Sequence, residues 1–231
     1  MSDTIAIITA RGGSKRIPRK NIKDFLGQPI IEYSIKAALE SGIFSEVMVS
    51  TDDEEIAEIA KHAGAKVPFL RSKENSNDHA TTGDVLMEVL DYYKKQGTDF
   101  AYVCCIYPTA PFVTADKLKK AYQIIKDSGG YQLNPVVAYS FPPQRSVVIR
   151  NGELQMVQPQ HRLTRSQDLE TYYHDCGQFY FYREDKLVEG NGVITEHIVP
   201  LVVSELEVQD IDNETDWKLA EMKYQLMEGK L

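Results

Sequence analysis

The sequence predicts an α/β fold in which a mostly parallel central sheet is flanked by helices. Two observations carry that expectation. Short apolar runs at residues 5–10, 46–51 and 102–106 alternate with longer stretches whose apolar residues repeat at helical spacing, and glycines or capping residues sit at most of the joints. Strands separated by helix-length crossovers pair in parallel, because each helix returns the chain to the edge from which the previous strand started.

The elements follow in order. Residues 5–10 are apolar throughout, as a strand buried on both faces requires, and Gly12-Gly13 ends the run. Pro29 suits a first helical turn; Ile30, Ile31, Ser34, Ile35, Ala38 and Leu39 then repeat at helical spacing until Gly42 stops the helix. Residues 46–51 read as the second strand. Asp52 is placed to cap a helix with the stripe Ile56, Ile59, Ala60 and Ala63 and with Gly64 at its end, and residues 65–69 read as a short third strand. Val85, Leu86, Val89, Leu90 and Tyr93 mark the next helix, residues 102–106 a fourth strand, and Leu118, Ala121, Tyr122 and Ile125 a helix capped by Thr114.

After Asn134 the pattern becomes β-rich. Residues 136–141, 145–150 and 154–157 read as strands, the last two joined by the hairpin signal Asn151-Gly152. Polar residues 158–170 form an excursion before the strands 178–182 and 198–203, and a last helix runs from about 214 to 227. The expected organisation is a single domain over residues 1–231 with a small β-rich excursion at about 140–180.

Composition narrows the function classes. Hydrophobic residues at 42% and charged residues at 26% fit a globular chain and exclude extended disorder. Cys104, Cys105 and Cys176 have no metal-ligand spacing and read as reduced core residues. The first four residues lack a signal pattern, and no apolar run reaches the ~18 residues of a membrane span, so a cytoplasmic protein with no membrane partner is expected. A net charge of −8 argues against a nucleic-acid partner. The positive charge is nevertheless concentrated: Arg11, Lys15, Arg16, Arg19, Lys20 and Lys23 fall within thirteen residues that hold no acid. A small, highly charged anion is the expected ligand.

That basic loop follows a buried strand, and open α/β sheets bind ligands beyond the carboxyl ends of such strands. Glycine lets backbone N–H groups approach phosphate oxygens, arginine supplies a forked donor and lysine a point charge. A unit charge pair at 4 Å is worth roughly 4 kcal/mol at an effective dielectric of 20, so two or three such contacts matter. The alternative is a solvated basic turn. The loop lacks the Gly-Lys-Ser/Thr ending of a Walker A motif and the three-glycine dinucleotide spacing, which disfavours ATPases and dehydrogenases.

Two further segments bear chemistry. Asp210-Ile211-Asp212 places two carboxylates two residues apart after an expected strand end at Glu207 and Val208; on extended backbone they point the same way and can hold Mg²⁺ with triphosphate oxygens completing the shell. Asp212 or Asn213 could equally be the cap of the last helix. Tyr107-Pro108-Thr109-Ala110-Pro111 directly follows the fourth strand, either as a stiff wall of the same site or as an ordinary turn.

Taken with Val49-Ser50-Thr51-Asp52 and Leu70-Arg71, these segments resemble the acylneuraminate cytidylyltransferase family along nearly the whole chain. Arg165-Ser166-Gln167-Asp168-Leu169 and the string from Tyr173 to Tyr180 look most like its pseudaminic acid branch. The resemblance implies a Rossmann-like sheet of the nucleotide-diphospho-sugar transferase type with a dimerisation excursion. It implies attack by the anomeric hydroxyl of a nine-carbon acidic (nonulosonic) sugar on the α-phosphorus of CTP, with release of pyrophosphate. By the same resemblance Arg11, Gly12, Gly13, Ser14, Lys15, Lys20, Asn21, Arg71 and Thr82 bind the nucleotide, and Arg11 and Lys20 stabilise the charge that develops. Asp210 and Asp212 match the metal pair; Tyr107, Arg145, Arg165, Gln178, Phe179 and Tyr180 would meet the sugar, and residues 158–170 would be lent to the partner of a homodimer. Sialate enzymes of the family show Gln-Pro-Thr-Ser-Pro-Leu-Arg where Tyr107 to Val113 stand here, and Arg-Pro-Asn-Gly where His174-Asp175-Cys176-Gly177 stand, which favours a deoxygenated, more apolar sugar. The rival readings are a sialic or legionaminic acid enzyme, an enzyme for the eight-carbon acid Kdo, and a catalytically silent nucleotide-binding protein that would need no paired carboxylates.

Overall fold

A computed structural model describes residues 3–230. In chain order it contains β1 (Thr4–Thr9), a minimal ribbon of β2 (Asp24–Phe25) and β3 (Gln28–Pro29), α1 (Ile30–Ser41), β4 (Glu46–Ser50), α2 (Glu54–His62), α3 (Thr82–Lys95), β5 (Tyr102–Ile106) and α4 (Ala115–Ser128). The second half adds β6 (Gln132–Ala138), β7 (Val147–Arg150), β8 (Glu153–Met156), β9 (Tyr173–Asp175), β10 (Phe179–Arg183), α5 (Glu184–Glu189), β11 (Ile198–Val202) and α6 (Glu214–Met227).

The main sheet has the order β11-β6-β10-β5-β1-β4, with β9 also paired to β6. β1 is parallel to β4 and β5, and β11 is parallel to β6, whereas β10 runs against both β5 and β6. Five strands therefore share one direction and the short β9 and β10 oppose it. The loops leaving β1, β4 and β5 open on one edge, and β10 begins there: Phe179 faces Ile106 in register, and the Tyr107 N–H donates to the Gln178 carbonyl at 2.8 Å.

Alternation along β1 divides the core in two. Ala6 and Ile8 pack beneath Ile31 and Ile35 of α1 and Leu118 and Ala121 of α4, while Ile5 and Ile7 meet Leu86, Val89 and Leu90 of α3. Burial on both faces is why the run shows no polar alternation. A smaller apolar cluster stands off the sheet, joining Ile17 of the basic loop and Phe25 to Ile211 and Trp217 of the C-terminal segment.

Several local expectations are corrected. Residues 65–69 make one isolated bridge, Met48 to Lys66, rather than a strand; Pro68 lacks the N–H that a continued ladder needs. Asp53, not Asp52, caps α2, accepting from the Ile56 N–H at 3.0 Å. The strand expected at 136–141 begins at Gln132 and ends at Ala138, ahead of Pro142-Pro143. Residues 205–207 form a 3₁₀ turn instead of a strand end. The β7–β8 hairpin is present as a separate two-stranded sheet, with Asn151 at φ 53° and Gly152 at φ 82°, the left-handed pair that a two-residue turn of matching twist requires. Among the described residues no helix is long and apolar enough to cross a membrane.

Candidate active site

The basic loop is fixed before any ligand arrives. The Ala10 N–H donates to the Ser50 carbonyl at 2.9 Å, the Gly12 N–H to Asp52 Oδ1 at 2.9 Å, and Asn21 Nδ2 to the Arg11 carbonyl at 2.8 Å. A Cβ at Gly12 would lie 2.7 Å from Asp53 Oδ2, so any larger residue there would displace the Asp53 side chain. Its N–H, expected to face phosphate, is spent on Asp52. Arg19 adopts a left-handed φ of 54° and turns its guanidinium onto Asp53 and Glu55, so it anchors the loop to α2 rather than facing the site. The Arg19 hydrogen bond is the main reason that the Asp53 carboxyl is held below the usual carboxylate range.

The acidic segment is brought to this loop by its central residue. Ile211 is 1% exposed and shares the off-sheet cluster with Ile17, which lies inside the basic loop. Burying the isoleucine leaves its two neighbours directed away from the cluster. Lys20 Nζ donates to the Ile211 carbonyl at 2.6 Å, Arg16 pairs with Asp212 at 2.6 Å, and Lys23 pairs with Glu214 at 2.7 Å while lying 4.6 Å over the Trp217 ring. Burial lowers the Lys20 pKa, and the attraction of Asp212 and Asp210 opposes that shift. Asn213 is the cap of α6, accepting from the Thr215 and Asp216 N–H groups, so neither aspartate is used as the cap. Asp210 and Asp212 offer the hard oxygen donors that Mg²⁺ prefers. Among the described residues no group of three or more His, Cys, Asp or Glu could hold a metal, so a cation here would have no third carboxylate or imidazole and would draw on other oxygens, those of substrate and water included.

The basic loop borders a cavity of about 590 Å³, whose lining includes neither Asp210 nor Asp212. Arg11, Lys15, Lys20 and Asn21 line one side; Arg71, Thr82 and Tyr107 line the other. Arg71 is buried, donates from Nε to Ser50 Oγ at 2.9 Å and also bonds the Ser50 carbonyl; burial lowers its pKa, opposed first by Asp52. Thr82 opens α3, whose capping box of Thr81 and Asp84 points the helix start at the cavity. Sequence reasoning missed Asp78. It accepts from Arg11 Nη1 at 3.0 Å and from Lys15 Nζ at 2.6 Å, occupying with a carboxylate the donors expected to meet phosphate. The polar run 72–80 carried only the signal of a loop.

Residues 5–222 match the family model described as cytidylyltransferase. The chain belongs to that family. It is 42% identical over 223 residues, 96% of each chain, to the pseudaminic acid cytidylyltransferase of Campylobacter jejuni. To the CMP-N,N'-diacetyllegionaminic acid synthase of Legionella pneumophila it is 34% identical over 239 residues, 98% of each chain. The solved structure of CMP:2-keto-3-deoxy-manno-octonic acid synthetase complexed with CTP superposes with a TM-score of 0.71 over the full length of both chains at 21% identity, a likeness of fold.

The remaining expected residues of this cytidylyltransferase divide into three groups. Tyr107 lines the 590 Å³ cavity together with Thr82 and packs edge-on against Tyr180 with centroids 5.6 Å apart. Tyr180 in turn donates to Asp175 Oδ1 at 2.5 Å. Gln178 is 2% exposed; its Nε2 donates to the Glu207 carbonyl at 2.5 Å, and its Oε1 has no partner among the described residues. Phe179 departs from expectation. It is wholly buried on the α1–α4 face of the sheet, because the two-residue period sends it away from Tyr180, and it is core. Arg145 and Arg165 lie in the excursion, bonded to Ser166 at 3.3 Å and Asp168 at 2.8 Å, and line neither this cavity nor a second one of about 480 Å³. That second cavity has Asp210, His174, Asp175 and Lys223 in its wall.

Proposed function

We propose that this cytidylyltransferase transfers CMP from CTP to the anomeric hydroxyl of a nonulosonic acid, pseudaminic acid foremost, and releases pyrophosphate. The observation that carries the proposal is the 2.6 Å bond from Lys20 to the Ile211 carbonyl, which sets the basic loop against the two carboxylates. Identity of 42% to a pseudaminic acid enzyme, against 34% to a legionaminic acid enzyme, supports the choice of sugar.

Arg11, Lys15, Lys20 and Asn21, with the backbone of Gly13 and Ser14, hold the triphosphate, and Arg71 and Thr82 lie along the nucleoside. Arg11 and Lys20 offset the negative charge that grows on the leaving pyrophosphate, from fixed positions that need no reorganisation. Asp210 and Asp212 hold Mg²⁺, which when bound supplies Lewis-acid polarisation of the phosphoryl oxygens. The sugar oxygen forms its bond to the α-phosphorus as the bond to the β-phosphate breaks, and Asp210 accepts the hydroxyl proton.

A homodimer working in the cytoplasm completes the proposal. Its support is the apolar surface of the excursion, where Ile149 and Leu154, opposed in the hairpin register, are 76% and 71% exposed and Leu163 is 92% exposed. The test is pyrophosphate release from CTP and Mg²⁺ with pseudaminic, legionaminic and sialic acids and Kdo supplied separately. Fastest turnover with pseudaminic acid is expected. Release with sialic acid alone would reassign the substrate, and release with none would leave the silent nucleotide-binding protein.

A further inference from the structure

We infer that Lys117 is a positioning residue of the transfer reaction: its buried ammonium group joins the wall of the nucleotide cavity that follows β5 to the turn that leads into Asp210, and so sets how the two carboxylates stand against the nucleotide. The inference rests on the nucleotide and metal roles proposed above and adds to them the residue that fixes their spacing.

Lys117 lies in the first turn of α4, whose cap Thr114 accepts from the Lys117 N–H at 3.2 Å. Its side chain is 12% exposed; Nζ donates to the Phe112 carbonyl at 2.7 Å and pairs with Glu207 Oε1 at 3.1 Å. Phe112 is wholly buried and ends the segment that supplies Tyr107, Pro108 and Thr109 to the 590 Å³ cavity. Glu207 ends the 3₁₀ turn, three residues before Asp210. The other end of the same wall reaches the same turn. The Tyr107 N–H donates to the Gln178 carbonyl at 2.8 Å, and Gln178 Nε2 donates to the Glu207 carbonyl at 2.5 Å. Residues 107–112 are therefore fastened to Glu207 at both ends, through Gln178 at the first and through Lys117 at the last.

Local stability does not account for a lysine at this place. A cation in the first turn opposes the helix dipole, and an ion pair withdrawn from water adds little to stability over apolar side chains of similar volume. What the pair supplies is a fixed geometry. Lys20 holds the Ile211 carbonyl from the side of the basic loop at 2.6 Å, and a single tether would leave the acidic segment free to pivot about it. The pair of Lys117 with Glu207 is a second tether, made from the opposite wall, so that residues 208–210 span two fixed points. Lys223 also bonds the Val208 carbonyl, at 2.7 Å, but from α6, which lines no part of the nucleotide cavity.

The test uses the full-length enzyme with Lys117→Met and with the double variant Lys117→Met, Glu207→Gln, which leaves no unpaired charge behind. Calorimetry reads Tm, isothermal titration reads the Kd of CTP in EDTA and in Mg²⁺, and pyrophosphate release with pseudaminic acid reads kcat. The double variant is expected to keep a Tm close to that of the wild type, as neutralised pairs do, and a Kd for CTP in EDTA within about twofold. Its kcat is expected to fall roughly 10- to 100-fold, up to the loss for a misplacement of about 1 Å. The factor by which Mg²⁺ tightens CTP binding is expected to shrink at least about fivefold, the low end of coupling between two sites. An undiminished Mg²⁺ factor overturns the inference, and so does a kcat that falls in Lys117→Met but returns with Tm in the double variant, which marks a merely structural lysine. If circular dichroism shows that the double variant does not fold, Lys117→Gln, which keeps a neutral donor but is too short to span Phe112 and Glu207 together, is read in the same way. The titrations need no turnover. A wild type that binds CTP but releases no pyrophosphate with any nonulosonic acid therefore refutes the proposed function, while the Mg²⁺ factor still decides for or against Lys117.

Discussion

Replacing Ile211 by alanine tests whether one buried side chain delivers both carboxylates to the basic loop. Ile211 is 1% exposed in a cluster with Ile17, Phe25 and Trp217, and an isoleucine-to-alanine change at such a site costs about 2–5 kcal/mol through lost transfer energy and the cavity left behind. For a chain of 231 residues each kcal/mol lowers Tm by about 2–4 °C, so a fall of roughly 5–15 °C is expected. Stability alone does not discriminate, and Ile125→Ala, a fully buried site on the sheet-facing stripe of α4, provides the matched control. Both variants should lose comparable Tm in calorimetry. In pyrophosphate-release assays well below either Tm, only Ile211→Ala should raise the Mg²⁺ midpoint, by about tenfold, because its carboxylates are no longer held against Lys20. Equal Mg²⁺ midpoints for Ile211→Ala and wild type would refute the reasoning.

Three further outcomes follow from named contacts. Asp78 competes with phosphate for Arg11 and Lys15, so Asp78→Asn should lower the KM for CTP about two- to fivefold at unchanged kcat, an effect that shrinks at high salt because these groups are exposed. The Asp53 carboxyl is depressed first by Arg19; its contribution is therefore complete above the unfolded value near 4 and is lost as pH falls through the lower native pKa, so Asp53→Asn should flatten the acid side of the Tm–pH curve. Ile149→Glu with Leu154→Glu places charge on the exposed hairpin face, and light scattering should report the proposed dimer for the wild type and a monomer for the variant.

The parts of the fold governed by local periodicity were legible in advance. β1, β5, α1 and α6 lie where strand or helical spacing put them, since burial on two faces or along one stripe leaves a direct mark on the residue order. Residues 65–69 were misread because Pro68 acts through the missing ladder bond, which weighs more than an apolar run does. In the site, the meeting of Lys20 with residues 210–212 could be anticipated from charge and resemblance, but the agent of the meeting, Ile211 docking on Ile17, depends on contact across almost two hundred residues. Asp78 was invisible for a similar reason. It is an ordinary charged residue in a polar stretch, and only tertiary placement sets it beside Arg11 and Lys15. Phe179 and Tyr180 were legible as strand residues; which of them faces the site depended on the side of the sheet that α4 covers.

The direct test of the shared site is a double-mutant cycle on kcat/KM for pyrophosphate release with Lys20→Met and Asp210→Asn. If the two side chains act on one metal-bound triphosphate, each single variant loses on the order of 10²-fold or more and the double variant loses little beyond the worse single. Losses that multiply, as for independent sites, would contradict a nucleotide held between the basic loop and the acidic pair.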